Sequence, residues 1–188
     1  NREGARIDDL INKLETSDFF TAPASTQYHG SFEGGLCAHC LEVYDNACKL
    51  IQMKNLNIDE ESITIVTLLH DISKMNFYTT TIKNKKVYSP TGSKYDEMGK
   101  FDWVAEKGYM VKDQSERFIY GNHEETAEYI ASHYIPLTYE ESAAILNHHM
   151  GLSFDSTPTS VAGTVLAKYP IAVILHIADM MAAFLTNI

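Results

Sequence analysis

The chain has 188 residues, 45% of them apolar and 11% aromatic. That is enough for one compact domain with its own core, and it excludes a disordered, collagen-like or low-complexity chain, which lacks the apolar surface to offset chain entropy. Fifteen Lys and Arg against 25 Asp and Glu leave a net charge of −10, with eight His besides, so the chain has no general attraction for long nucleic acid or an anionic membrane, while cations are drawn to it.

Helical periodicity opens the sequence. Ile7, Leu10, Ile11 and Leu14 fall at the i, i+3, i+4, i+7 spacing of one buried face, and residues 18–23 end that helix. A turn-rich stretch, 28–35, leads into a second helix carrying Leu36, Val43, Ala47, Leu50 and Ile51. A third begins near residue 59, runs through Ile63, Ile65, Val66, Leu68 and Leu69, and ends near His70 and Asp71. Acids at its start sit where the helix dipole favours them.

Between 77 and 111 the pattern becomes β-prone. Residues 77–82 read as a strand, Asn84 as a turn and 86–89 as a returning strand; Trp103-Val104 and Tyr109-Met110-Val111 flank Glu106-Lys107-Gly108 in the same manner. Helical patterns resume over 124–134, 139–150 and 161–168, with a long one from Ile171. The expectation is a single all-α domain, a helical bundle over residues 1–188, with one or two small β-hairpins inserted at about 76–112. Eight Lys against four acids give the segment from Lys74 to Lys112 a local charge of +4, so the rest carries −14. That segment either supplies cationic surface beside an active site or is a solvated lysine-rich loop.

Three cysteines do not make a disulfide framework. No secretory leader is recognisable at the start, which is Asn rather than Met. Residues 171–188 approach the length of a membrane span but carry His176 and Asp179 near the middle, which lipid penalises. The expectation is a reduced, cytoplasmic protein without a membrane partner.

His39, the adjacent pair His70-Asp71, His123, His149 and Asp179 stand at helix ends or on otherwise apolar helix faces. Imidazole nitrogen and carboxylate oxygen together suit Mn, Fe, Ni or Zn better than Ca. An ionised side chain such as Asp179, after the apolar run 173–178, is costly to bury unless it is paired or bound to a cation.

The order of these residues and the segments around them resembles the HD-domain superfamily of metal-dependent phosphohydrolases, an all-helical fold. The segments are Thr21-Ala-Pro-Ala-Ser25, Tyr28-His29, Glu33-Gly-Gly-Leu36, His39, Leu69-His-Asp-Ile-Ser-Lys74, Gly121-Asn-His-Glu124, His149-Met-Gly151 and Ala178-Asp179. They cover about residues 18–185 and are most similar to bacterial and phage hydrolases related to the HD domain of 3′-to-5′ exoribonucleases. The resemblance implies two divalent transition metals, Mn, Fe, Ni or Zn, with Mg also open. His39, His70, Asp71 and Asp179 would hold one, and His123 with His149 the second, with Asp71 bridging. Such a pair, about 3.5–4 Å apart, generates a nucleophile from water and clamps the departing oxygens of a phosphoryl group. Asp71 and Lys74 are the implied catalytic residues, Lys74 aiming its ammonium at a phosphoryl oxygen.

Around that set, His148 is either an orienting residue or faces the substrate, and His29 faces the phosphate or caps a turn. Lys83 is a weaker substrate-binding candidate, and Trp103, Tyr78, Tyr88 or Tyr109 are candidates for stacking a base. Ser73 stands where many relatives have Gly and, being small, is expected to do little. His176 is expected to orient Asp179 or its neighbours, His133 to lie at the surface, and Glu124 to start a helix or hold a water. Cys37, Cys40 and Cys48 are expected to pack. The implied activity is hydrolysis of a phosphoester or phosphoanhydride in a small substrate, a nucleotide or short oligonucleotide; long nucleic acid disagrees with the charge. Two rivals stay open: a di-iron oxygenase of the same superfamily, which uses the same ligand set, and a non-enzymatic metal- or nucleotide-binding module, which would be marked by loss of a ligand.

Overall fold

A computed structural model of the chain describes residues 2–149 and 161–185. In order, the elements are α1 (Ile7–Glu15), α2 (Gly35–Lys54), α3 (Glu60–Leu69), a 3-10 turn at Ile72–Lys74, β1 (Tyr78–Tyr88), β2 (Lys94–Asp96), β3 (Gly99–Val111), a second 3-10 turn at Gln114–Glu116, α4 (His123–Tyr134), α5 (Tyr139–Leu146), α6 (Val161–Lys168) and α7 (Pro170–Phe184). α5 ends at Leu146 rather than at Met150: Asn147 caps it, residues 147–149 form a turn, and Met150 lies outside the described residues.

Local chemistry sets the helix starts. The Asp59 carboxylate accepts from the Ser62 amide at the start of α3, while Asn122 with Glu125 and Thr138 with Glu141 form reciprocal capping boxes for α4 and α5. Pro170 occupies the first turn of α7, where its missing N–H goes unneeded. Asn55, with φ of 50°, closes α2 in the left-handed region.

The core lies where α7 crosses α2 and α5, with α3 against α2. On α7, Ile171, Ala172, Ile174, Leu175, Ala178, Asp179 and Ala182 are buried, a stripe at helical spacing that includes one carboxylate. Its alanines let the helix approach Val43 and Ala47 of α2, and Ala144 and Ile145 of α5, which are themselves sealed from solvent. A smaller cluster joins Phe19, Ala22, Leu36 and Cys40. Among the described residues no helix is long and apolar enough to cross a membrane.

The fold is mostly helical rather than wholly so, because the inserted segment builds a three-stranded antiparallel sheet in the order β1-β3-β2. β1 and β3 pair without interruption from Tyr78 opposite Val111 to Tyr88 opposite Phe101. The small β insert, expected as one or two short hairpins, is a single sheet whose first and third strands pair along their length. Asn84 is not a turn but pairs with Ala105 in mid-strand, and Glu106, Lys107 and Gly108 lie within β3. β-branched and aromatic neighbours and the opposed charges of Lys83 and Glu106 outweigh the local turn preferences. The chain crosses from β1 to β2 at Ser89–Gly92, where the Gly92 amide donates to the Ser89 carbonyl and Pro90 presets the bend, and it reverses into β3 at Glu97 and Met98, between the paired residues Asp96 and Gly99. At its base the ribbon is tied to the loop before α2: the Tyr78 hydroxyl donates to the Ala24 carbonyl and the Lys83 ammonium to the Thr26 carbonyl. Gly108 has no side chain at the point where the Lys83 stem crosses it.

Near the N-terminus, the Arg2 guanidinium forks onto the fully buried Glu141 carboxylate at 2.6 and 2.8 Å, and the Ser62 hydroxyl donates to the same group. Burial pushes the Glu141 carboxyl up, but those bonds outweigh it and hold it below its ordinary value. The stability from this cluster is therefore complete above the unfolded carboxyl pKa and is lost as pH falls through the lower folded value. In thermal melts, acidification below about pH 4 should destabilise the wild type more than Glu141→Gln. Leu175→Ala, which empties a sealed position of the core, should lower the unfolding free energy by about 2–5 kcal/mol in a denaturant titration.

Candidate metal centre

The bundle brings ligand-type side chains from several elements to one place. His39 comes from α2, His70 and Asp71 from the end of α3, His123 from the first position of α4, His148 and His149 from the turn after α5, and Asp179 from α7. The approach of α2 depends on glycine: a Cβ on Gly35 would overlap the Gly30 carbonyl. That close contact folds the preceding loop back and sets the His29 ring 4.9 Å from the His39 ring. At the end of α3 the His70 amide makes the last helical bond, to Val66, and Asp71 leaves the helix. The 3-10 turn then returns Lys74 onto Asp71, with Nζ 2.6 Å from Oδ2, rather than one turn further along a continuing helix.

The distances are short. His39 Nε2 lies 3.0 Å from Asp179 Oδ1 and 3.5 Å from Asp71 Oδ2. His70 Nε2 lies 3.6 Å from Asp71 Oδ2 and 3.8 Å from Asp179 Oδ1. His123 Nε2 lies 2.6 Å from Asp71 Oδ1, His148 Nε2 3.8 Å from the same oxygen, and His149 Nε2 3.6 Å from Asp179 Oδ2. Among the described residues, three groups have ligand atoms that all fall within 4.8 Å of one another: His39, His70 and Asp71; His70, His148 and Asp179; and His123, His148 and His149.

Three of the histidines are held by their other nitrogens. His70 Nδ1 donates to the Thr67 carbonyl at 2.8 Å, His148 Nδ1 to the Ile145 carbonyl at 2.7 Å, and His149 Nδ1 to Glu124 Oε1 at 2.8 Å. Each bond places the ring proton on Nδ1 and turns the Nε2 lone pair inward, the tautomer a metal needs. His123 Nδ1 lies 2.7 Å from the Ser73 hydroxyl, which can donate or accept.

Burial alone would push Asp71 and Asp179 up, yet both stand well below the usual carboxylate range. Lys74, His70 and His123 outweigh burial at Asp71, and His39 and His70 do so at Asp179. Burial and the neighbouring His70 lower His148 to about 3, and burial with His39 and Lys74 lowers His29 to about 4, so both are neutral at physiological pH. The Glu124 carboxyl is lowered to about 2, chiefly by its bond from His149.

Three buried atoms at the centre have no hydrogen-bond partner: Nδ1 of His39 and Nε2 of His70 and His148. Each such atom costs about 1–3 kcal/mol when left unsatisfied. Imidazole lone pairs and ionised carboxylates gathered around one point form a donor set that fits a divalent transition cation, which would satisfy them together.

Residues outside this set are placed as follows. His148, expected as an orienting or substrate-facing residue, is fully buried and joins two of the ligand groups. His176 Nδ1 donates to the His148 carbonyl at 2.6 Å and so holds the turn that carries His148 and His149. Ser73, expected to be inert, touches His123, and Glu124 orients His149. No sequence signal distinguished those two, because each acts on a histidine that only folding brings near. Lys83 is engaged by Thr26, His133 is exposed beside Arg6, and no cysteine joins a ligand group among the described residues. Trp103 and Tyr88 pack on Phe101, while Tyr109 is buried.

The profile of the HD domain matches residues 36–183, which spans every ligand candidate from His39 to Asp179. The chain belongs to the HD-domain family. Members of this family are commonly metal-dependent hydrolases, and the buried His and Asp groups of this HD domain are compatible with a divalent metal. Neither a curated protein nor a solved structure matches the chain.

If Ser73 steadies His123, Ser73→Ala should weaken metal binding by about tenfold to a hundredfold, while Ser73→Thr retains it. His148→Ala should also weaken binding, and His133→Ala should not. Competition with a chromophoric chelator for Zn²⁺ or Mn²⁺ measures all four.

Proposed function

We propose that this HD domain is a phosphohydrolase that uses two divalent transition metals to cleave a phosphoester or phosphoanhydride bond in a nucleotide or short oligonucleotide. The observation that carries the reading is the convergence of buried imidazole nitrogens on both oxygens of the Asp71 carboxylate, His123 and His148 toward Oδ1 and His39 and His70 toward Oδ2, where the Lys74 ammonium also bonds. His39, His70, His148, Asp71 and Asp179 supply the buried part of the ligand set, and the more exposed His123 and His149 its open side. Divalent metal bound there supplies Lewis acidity and a water that ionises near neutral pH.

The chain's own groups do the rest. Lys74 spends one ammonium proton on Asp71 and has two more donors for a phosphoryl oxygen, where they oppose the negative charge that builds during displacement. Neutral His29, beside His39, adds no positive charge but has a ring nitrogen to orient a substrate oxygen. The Lys74 ammonium on Asp71 is a cation available to a phosphoryl oxygen, which supports the hydrolase reading. Substrate size follows from charge. Lys86 is paired with Asp96, Lys85 and Lys107 face Glu106 and Glu33, and Lys83 is tied to Thr26, which limits the free cationic surface that a polymer would need. The unpaired cysteines suit a reducing compartment such as the cytoplasm.

Purified protein supplied with Mn²⁺ should hydrolyse an aryl phosphodiester or nucleotides. Asp71→Ala should abolish turnover, and Lys74→Ala should lower kcat by about 10²–10³-fold. Undiminished hydrolysis by Asp71→Ala would reject the assignment.

A further inference from the structure

The sequence has three arginines. Arg2 forks onto Glu141 and Arg6 pairs with Asp9. Arg117 meets no carboxylate among the described residues: its guanidinium lies over the Phe77 ring, 4.8 Å from the centroid, and its buried Nε has no hydrogen-bond partner. Arginine commonly stacks on an aromatic face in this way, which leaves the edge of its planar fork for a ligand.

Arg117 lines a cavity of about 260 Å³ together with Ser73, Phe77, Gln114, Asn122 and His123. In a protein of net charge −10, no acidic side chain lines this space. The nearest acids in sequence are engaged or face elsewhere. Glu124 bonds His149 and Glu125 completes the cap with Asn122; Arg117, Ser73 and Phe77 also line an adjoining cavity of about 420 Å³, where Glu116 lies with Lys13 and His133. A partly desolvated guanidinium that borders an acid-free cavity on the side of His123, flanked there by amide and hydroxyl donors, is matched to an oxyanion that accepts two parallel N–H bonds.

The cavity and the candidate metal centre share a wall. His123 faces Asp71 through Nε2 and meets Ser73 through Nδ1, and both His123 and Ser73 line the Arg117 cavity. We propose that Arg117 anchors a second phosphate of the substrate, so that this HD domain prefers compounds with two neighbouring phosphoryl groups over compounds with one. The assignment rests on the hydrolase reading for the identity of the first phosphate. The anion subsite itself rests on Arg117 and its cavity alone.

Isothermal titration of the purified, metal-free chain with inorganic pyrophosphate tests the subsite without turnover. Wild type should bind. Arg117→Gln should weaken binding by about tenfold to a hundredfold, and Arg117→Lys, which keeps the charge but loses the fork, should fall between. Circular dichroism should show all three folded alike. With Mn²⁺ present, Arg117→Gln should raise KM for a nucleoside diphosphate more than KM for an aryl phosphodiester, with a smaller effect on kcat. Pyrophosphate binding by wild type without hydrolysis of either substrate would overturn the hydrolase reading and leave the subsite standing. Absence of pyrophosphate binding, or equal binding by wild type and Arg117→Gln, would overturn the subsite.

Discussion

Asp71 and Asp179 are ionised carboxylates buried beside a core built mostly from Val, Leu, Ile and Ala. Burying such a charge without compensation costs several kcal/mol, more than any single apolar contact around it returns. The surroundings of these carboxylates are organised by that penalty. α2 presents His39 to Asp179, α3 ends where His70 and Asp71 can face inward, and Lys74 folds back onto Asp71. His70, His148 and His149 are in turn fixed at Nδ1 by backbone carbonyls or Glu124, so this part of the compensation is rigid.

That rigidity belongs to the scaffold more than to local loops. His70 and His148 both donate to a carbonyl three residues back, at the end of a helix, where carbonyls lack helical partners. The same helix ends that would otherwise expose unsatisfied backbone thus orient the rings. His123 differs, since its outer partner is a hydroxyl, and it is more exposed than His70 or His148. The centre therefore has a buried, fixed side and a more accessible, adaptable one. The Arg117 cavity opens on the adaptable side.

The inserted sheet shapes the surroundings without entering the ligand set. Tyr78 and Lys83 pin its base to the loop that carries His29, and the close approach of Gly30 and Gly35 pins that loop to the start of α2. A change in the ribbon's register would be transmitted to His29 through these bonds. Much of the lysine charge that stood out in composition is spent holding the ribbon together or attaching it.

Helix positions were legible in the sequence because buried faces repeat every 3.6 residues and because Asp59, Asn122 and Thr138 are side chains that cap. The identity of most candidate ligands was legible too, since ionisable residues inside apolar runs are costly and so stand out; the match to the HD domain depends on that linear order. The sequence could not decide the ribbon, where cross-strand pairing over eleven residues overrode the turn preference of Asn84. Nor could it assign His148, Ser73, Glu124 or Arg117. Their roles depend on which partners lie within hydrogen-bond reach or which charges are absent from a cavity, and those relations link residues distant in the chain. Periodicity and burial cost are properties of a segment, whereas ligand geometry and charge balance at a site exist only once the segments have packed.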